Sequence, residues 1–81
     1  MIIRQADTER ERWENLAGAV VVQAADDYRK TLRRLKRRPG DLALEDQRQM
    51  LERFFRSPWF ETLCDLDGRG LIGELRREVG A

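Results

Sequence analysis

The sequence contains no histidine, one cysteine, two prolines and few aromatic residues, and these shortages exclude several kinds of protein. Without histidine, the common zinc-binding spacings and histidine-based acid–base catalysis are excluded. The single cysteine, Cys64, cannot form an internal disulfide, and we interpret it as a small core residue rather than a nucleophile. The longest uninterrupted apolar run, residues 16–22, is too short to span a membrane. We therefore expect a cytoplasmic protein without a membrane partner, bound metal, cofactor or enzymatic activity.

The length and composition indicate one small folded domain. The 81 residues are 41% hydrophobic and 38% charged, which is too apolar for a disordered chain. A domain of this size buries only about 60–65% of its unfolded surface, so its core is modest. Contacts with partner chains would therefore matter for its stability.

Residues 8–38 have the pattern of one long helix, with apolar residues recurring every three or four positions from Trp13 to Leu35. Such a helix is about 45 Å long, whereas a compact chain of this size has a radius of gyration near 12 Å. We expect the helix either to break near Gly18 or to project and meet another subunit. Small residues at 17–19 and the apolar segment 20–22 would suit a homodimer contact.

Turn and capping residues divide the rest of the chain into three shorter helices. Pro39 and Gly40 end the long helix, Asp41 can cap the next one, and Ser57 followed by Pro58 is a common helix start. The predicted segments are an arm over residues 1–7 and helices over residues 8–38, 41–56, 57–65 and 67–79.

The predicted fold is all-α, with three to four helices, in which one long N-terminal helix is packed by shorter C-terminal helices. In the second helix, we expect an apolar stripe to be buried while its polar residues, including Arg48 and Glu52, face solvent. The residues predicted to be largely buried are Trp13, Val20, Ala24, Tyr28, Leu32, Leu51, Phe55, Trp59, Leu63 and Ile72.

The segment from Asp65 to Arg76 overlays partly on an EF-hand calcium loop, with acids at positions one and three and glycine at position six. Arg69 and Arg76 occupy positions where calcium ligands are required, and these cations would repel the metal. We interpret the segment as a tight turn in which Asp65 or Asp67 caps the last helix.

Charge is distributed unevenly along the chain, although the net charge is only +1. Residues 1–28 and 39–81 each carry a net charge of −3, whereas residues 29–38 contain seven bases and no acid. Cations at a helix end complement the helix dipole and can pair with acids elsewhere, but seven like charges also favour an anionic partner. Both interpretations stay open. The candidate polyanion-binding residues are Arg29, Lys30, Arg33, Arg34, Lys36, Arg37 and Arg38, and Tyr28, Trp59 and Phe60 would be available for base stacking if exposed.

Several spaced blocks resemble a group of short proteins encoded in prophages and integrative elements of gut Firmicutes. The blocks are Trp13-Glu14-Asn15-Leu16-Ala17, Gln23-Ala24-Ala25-Asp26-Asp27-Tyr28-Arg29 with Leu32 and Leu35-Lys36, Phe54-Phe55-Arg56-Ser57 with Trp59-Phe60, and Asp67-Gly68 with Leu71-Ile72. The resemblance runs from about residue 11 to residue 78. It implies a mobile-element context and transfers no functional residue.

Two functions are consistent with the sequence. The first is a non-enzymatic mobile-element accessory protein that binds a polyanion, DNA or RNA, through the arginine-rich helix end. The alternative is an inhibitor or adaptor that binds a host protein, such as an anti-CRISPR-like anti-defence protein, with the arginines and aromatics as interface anchors.

Overall fold

A computed structural model describes the backbone of residues 4–81 and the side chains of residues 17–81. The helices are α1, Arg4–Arg37; α2, Leu42–Phe55; α3, Pro58–Leu63; and α4, Gly68–Val79. The described residues contain no strand. The predicted all-α class, with a long first helix packed against shorter C-terminal helices, is confirmed.

Helix α1 starts earlier than the sequence predicted and continues without a break. Residues 4–7 are helical rather than part of the arm predicted for residues 1–7, of which residues 1–3 lie outside the described residues. The helix also passes through Gly18 uninterrupted. The molecule measures 57 × 20 × 17 Å with a radius of gyration of 15.8 Å, which is elongated for its size.

Local hydrogen bonds explain where the shorter helices begin. Asp41 caps α2 by accepting a hydrogen bond from the Leu44 backbone N–H at 3.1 Å. Ser57 caps α3 in the same way for Phe60, and Asp67 caps α4 by accepting from Arg69. The turn predicted for the segment Asp65–Arg76 is confined to the residues before Gly68, because residues 68–76 belong to α4, with Asp67 as its cap.

Helices α2, α3 and α4 all pack against the C-terminal part of α1. Tyr28 and Phe60 are completely buried, and Phe55 lies between them with ring centroids 5.7 and 5.6 Å away in edge-to-face geometry. The other buried hydrophobic residues are Val21, Ala24, Ala25, Leu32 and Leu75. Of the α1 side chains described, buried ones begin only at Val21, so the helix extends beyond the bundle.

Two of the predicted core residues are exposed. Val20 is 45% exposed because it lies about 80° around the helix from the Tyr28 stripe, and Val21 takes the buried position. Trp59 is 61% exposed because a six-residue helix buries one face, and Phe60 occupies it. Ala24, Tyr28, Leu32 and Phe55 are buried as predicted. Leu51, Leu63 and Ile72 are partly buried against the core, and the side chain of Trp13 lies outside the described residues.

Candidate functional site

Two of the seven candidate cations hold α1 to the end of α4. Arg29 donates hydrogen bonds to Glu78 at 2.8 Å and to Asp26 at 3.0 Å. The hydrogen bond to Glu78 is the main reason that the pKa of Arg29 is raised. Lys36 donates to the backbone carbonyl of Val79 at 3.0 Å. Arg29 and Lys36 therefore stabilise the contact between the two helices.

The other five cations lie at the C-terminal end of α1, on the side that faces away from the core. Together they form a basic surface. This basic surface consists of Lys30, Arg33, Arg34, Arg37 and Arg38. All five residues are exposed, and within residues 17–81 none of their side chains forms an ion pair or hydrogen bond. Because they follow one another on adjacent helical turns, their charges add to one field.

A shallow depression marks the end of this basic surface, at the turn between α1 and α2. Its volume is about 490 Å³, and it is lined by Arg34, Arg37, Arg38, Asp41, Ala43 and Leu44. Asp41 is the one acid in this lining, and its carboxylate already accepts the capping hydrogen bond from Leu44. Three guanidinium groups around one depression can bind phosphate oxygens through paired N–H donors.

The basic surface contains no aromatic side chain that could stack on a base. Tyr28 and Phe60, which were candidates for stacking on bases, are fully buried in the core. Trp59 is exposed, but it lies on α3, which contributes no residue to the basic surface or its depression. The basic surface therefore suits backbone phosphates rather than unpaired bases.

A buried glutamate, Glu52, was missed by sequence reasoning. Its Oε2 accepts hydrogen bonds from the Tyr28 hydroxyl at 2.6 Å and from Arg48 at 2.9 Å, and its Oε1 accepts from Arg56 at 3.1 Å. Arg76 lies 3.8 Å from Oε2. The prediction that Glu52 faces solvent is wrong, because Tyr28 and these arginines provide enough partners to bury a carboxylate.

These contacts shift the pKa values of the buried groups. Burial alone would raise the pKa of Glu52, but the hydrogen bonds from Tyr28 and Arg48 outweigh it, so this pKa lies below its ordinary value. Burial, reinforced by the hydrogen bond to Glu52, raises the pKa of Tyr28 well above its ordinary value. The pair is therefore a neutral phenol donating to a carboxylate at neutral pH.

Two further observations concern metals and membranes. The side chains of residues 17–81 contain no group of three or more cysteine, aspartate or glutamate residues close enough to hold a metal ion. In the described part of the chain, no helix combines the length and hydropathy that crossing a bilayer requires.

Comparison with known proteins adds no relative: no protein-family model, curated protein or solved structure matches the chain.

Proposed function

We propose that the protein binds the phosphate backbone of nucleic acid through the basic surface on α1, as a non-enzymatic accessory protein of a mobile element. The observation that carries this proposal is a difference in pairing. Lys30, Arg33, Arg34, Arg37 and Arg38 have no acidic partner within residues 17–81, whereas Arg29 and Arg48 are held by carboxylates. Unpaired, closely spaced cations gain most from a polyanion, because it relieves their mutual repulsion.

The proposed contact is with the backbone and carries little sequence selectivity. Guanidinium groups on an exposed helix surface can each reach a phosphate, whereas selective recognition needs side chains that reach base edges in a groove. The 490 Å³ depression beside Arg34, Arg37 and Arg38 would hold one phosphate at the end of the contact. Affinity should then depend on salt more strongly than on sequence.

Fluorescence anisotropy with labelled DNA and RNA oligonucleotides over a range of salt concentrations tests this proposal. Four or five phosphate contacts on duplex DNA predict a slope near −4 in log affinity against log salt, at about −0.9 per contact. The double variant Arg33→Gln/Arg37→Gln should reduce that slope by about 2.

The matched control removes the same charge elsewhere. Arg53 on α2 and Arg77 on α4 are exposed, so Arg53→Gln/Arg77→Gln changes the net charge equally without touching α1. Equal losses in the two double variants would point to a nonspecific charge effect. The proposal is abandoned if no oligonucleotide binds more tightly than about 100 μM at low salt, that is about −5.5 kcal/mol.

A host protein is the second candidate partner, and exposed apolar side chains favour it. Trp59, Leu66 and Met50 are 61%, 56% and 59% exposed. Tryptophan and arginine are the residues that most often dominate protein interfaces. If nucleic acid fails to bind, an inhibitor or adaptor that uses these anchors, including an anti-defence protein, becomes the preferred function. Its first test would be whether Trp59→Ala abolishes binding to a purified candidate host protein.

A further inference from the structure

A second cluster of arginines lies in a groove between α2 and α4. The groove has a volume of about 390 Å³ and is lined by Glu52, Arg56, Arg69, Ile72 and Arg76. Arg69, Ile72 and Arg76 fall at helical spacings of three and four, so they share one face of α4 and line the groove with Glu52 of α2 and with Arg56, the residue that follows α2. No residue of α1 lines this groove, which separates it from the basic surface.

Glu52 has little capacity left for the arginines of the groove. Its two oxygens already accept hydrogen bonds from Tyr28, Arg48 and Arg56. It also lies at the base of the groove, where its side chain is only 7% exposed. One buried carboxylate with both oxygens engaged cannot also neutralise Arg69 and Arg76.

The guanidinium groups of Arg69 and Arg76 therefore have N–H donors that Glu52 does not engage. The Arg76 guanidinium lies 3.8 Å from Glu52, beyond hydrogen-bonding distance. The Arg69 side chain forms no ion pair or hydrogen bond with any side chain of residues 17–81. Three guanidinium groups thus share a groove with one carboxylate, and an added anion would lower their repulsion.

We propose that the groove between α2 and α4 binds a small phosphate dianion, free or as a monoester, between Arg56, Arg69 and Arg76. A dianion with three acceptor oxygens can accept hydrogen bonds from N–H groups of two helices at once. A single carboxylate offers only two oxygens for the same contacts. Ile72 supplies an apolar wall between Arg69 and Arg76, so an organic group on the phosphate would gain contact area there. With three charge-assisted contacts, each worth about tenfold in affinity, the Kd should be on the order of 1 mM.

Nuclear magnetic resonance of the full chain tests the proposal directly. The arginine Nε–H signals are followed while inorganic phosphate is added, with sodium chloride holding the ionic strength constant. We expect saturable shifts for Arg56, Arg69 and Arg76, and tighter binding of phenyl phosphate than of inorganic phosphate if the apolar wall contributes. Equal affinities would show that the groove binds the phosphate dianion alone and would overturn the contribution of Ile72. Acetate at the same ionic strength should produce no saturable shift.

Variants separate a built site from general charge attraction. Arg69→Gln and Arg76→Gln should each weaken phosphate binding about tenfold, the loss expected for one charge-assisted contact. Arg77→Gln, on the same helix but outside the groove, should leave the affinity unchanged. Shifts that rise linearly to 50 mM, or equal losses in the Arg76→Gln and Arg77→Gln variants, would overturn the proposal. Binding to the groove does not depend on nucleic-acid binding by α1, because no α1 residue lines the groove, so Arg33→Gln/Arg37→Gln should leave the phosphate-induced shifts of Arg56, Arg69 and Arg76 unchanged.

Discussion

Arginine serves opposite purposes in two regions of this molecule. In the bundle, Arg48 and Arg56 donate to the buried Glu52, and their charges help an acid to stay in the interior. On the outer side of α1, Arg33 and Arg37 face solvent without an acidic partner within residues 17–81. The side chain is the same, so the difference comes from what lies within its reach. Mutations in the first region should therefore change the stability of the fold, and mutations in the second should change binding.

Removing the shared carboxylate should give the largest effect. Glu52→Ala leaves the buried Tyr28 hydroxyl without its acceptor and removes the common partner of the arginines around it, and we expect a loss of about 2–4 kcal/mol in unfolding free energy. Urea denaturation at neutral pH measures it. Glu45→Ala on the same helix removes an acid that pairs only with Arg48, and should cost less than about 1 kcal/mol. Equal losses would show that Glu52 has no special role.

Alkaline pH should act on the same region through Tyr28, the only tyrosine in the chain. In the unfolded chain its phenol ionises near the ordinary pKa of 10.0, whereas burial and Glu52 raise the pKa in the folded protein. Its contribution to stability is therefore complete below pH 10 and is lost as the pH rises further, by up to about 1.4 kcal/mol per pH unit.

Thermal unfolding between pH 8 and 11 would show this decline, and absorbance of the phenolate would assign it. Tyr28→Phe is the control: it should cost about 1–3 kcal/mol at pH 7, because Glu52 loses a donor, and should flatten the alkaline decline. An unchanged decline in that variant would assign it to other groups.

Neutralising the outer arginines should barely affect stability. Arg33→Gln/Arg37→Gln removes two exposed charges without an acidic partner in the described side chains, so the unfolding free energy should change by less than about 0.5 kcal/mol per site. Differential scanning calorimetry measures this change. A loss above about 2 kcal/mol would mean that these arginines support the fold, and the contrast with the Glu52 region would disappear.

The smallest effect on the stability of the single subunit should come from Val22→Glu, which tests the predicted homodimer. Val22 is 60% exposed, and a Cβ built at Gly18 would meet nothing within 4 Å, so this part of α1 is open to a second copy. Light scattering should give a dimer mass for the natural sequence and a monomer mass for Val22→Glu. The neighbouring exposed change Gln23→Glu is the control for added charge. A monomer mass up to millimolar concentration would exclude the dimer.

The sequence predicted the helices well because their starts and ends depend on local chemistry. Asp41, Ser57 and Asp67 each cap a helix with an oxygen that reaches a backbone N–H two or three residues ahead, and that spacing is visible in the sequence. The apolar stripes that contain Tyr28 and Phe55 were predicted equally well, because helical periodicity alone defines them.

The sequence predictions that were wrong share a different cause. Arg48, Glu52 and Arg56 follow one another at four-residue intervals, a pattern typical of a solvated helix face. The local pattern does not show the further partner, the Tyr28 hydroxyl, which lies far away in sequence, reaches across from α1 and joins Arg48 and Arg56 in making burial favourable for Glu52. Likewise, Val20 and Trp59 are apolar residues at helical spacing, but they are 45% and 61% exposed. The groove between α2 and α4 was missed because it requires knowing how two helices pack.

Gly68 limits how this chain can vary by mutation. A Cβ at this position would lie 1.7 Å from the carbonyl oxygen of Phe55, so α2 and α4 meet there backbone to backbone. Any side chain would push α4 away from α2 and widen the groove that Arg56 and Arg76 share. Gly18 is the opposite case, because alanine there meets no atom and removes the flexibility of a mid-helix glycine. In a saturation library selected for folding, position 68 should therefore retain glycine while position 18 drifts toward alanine.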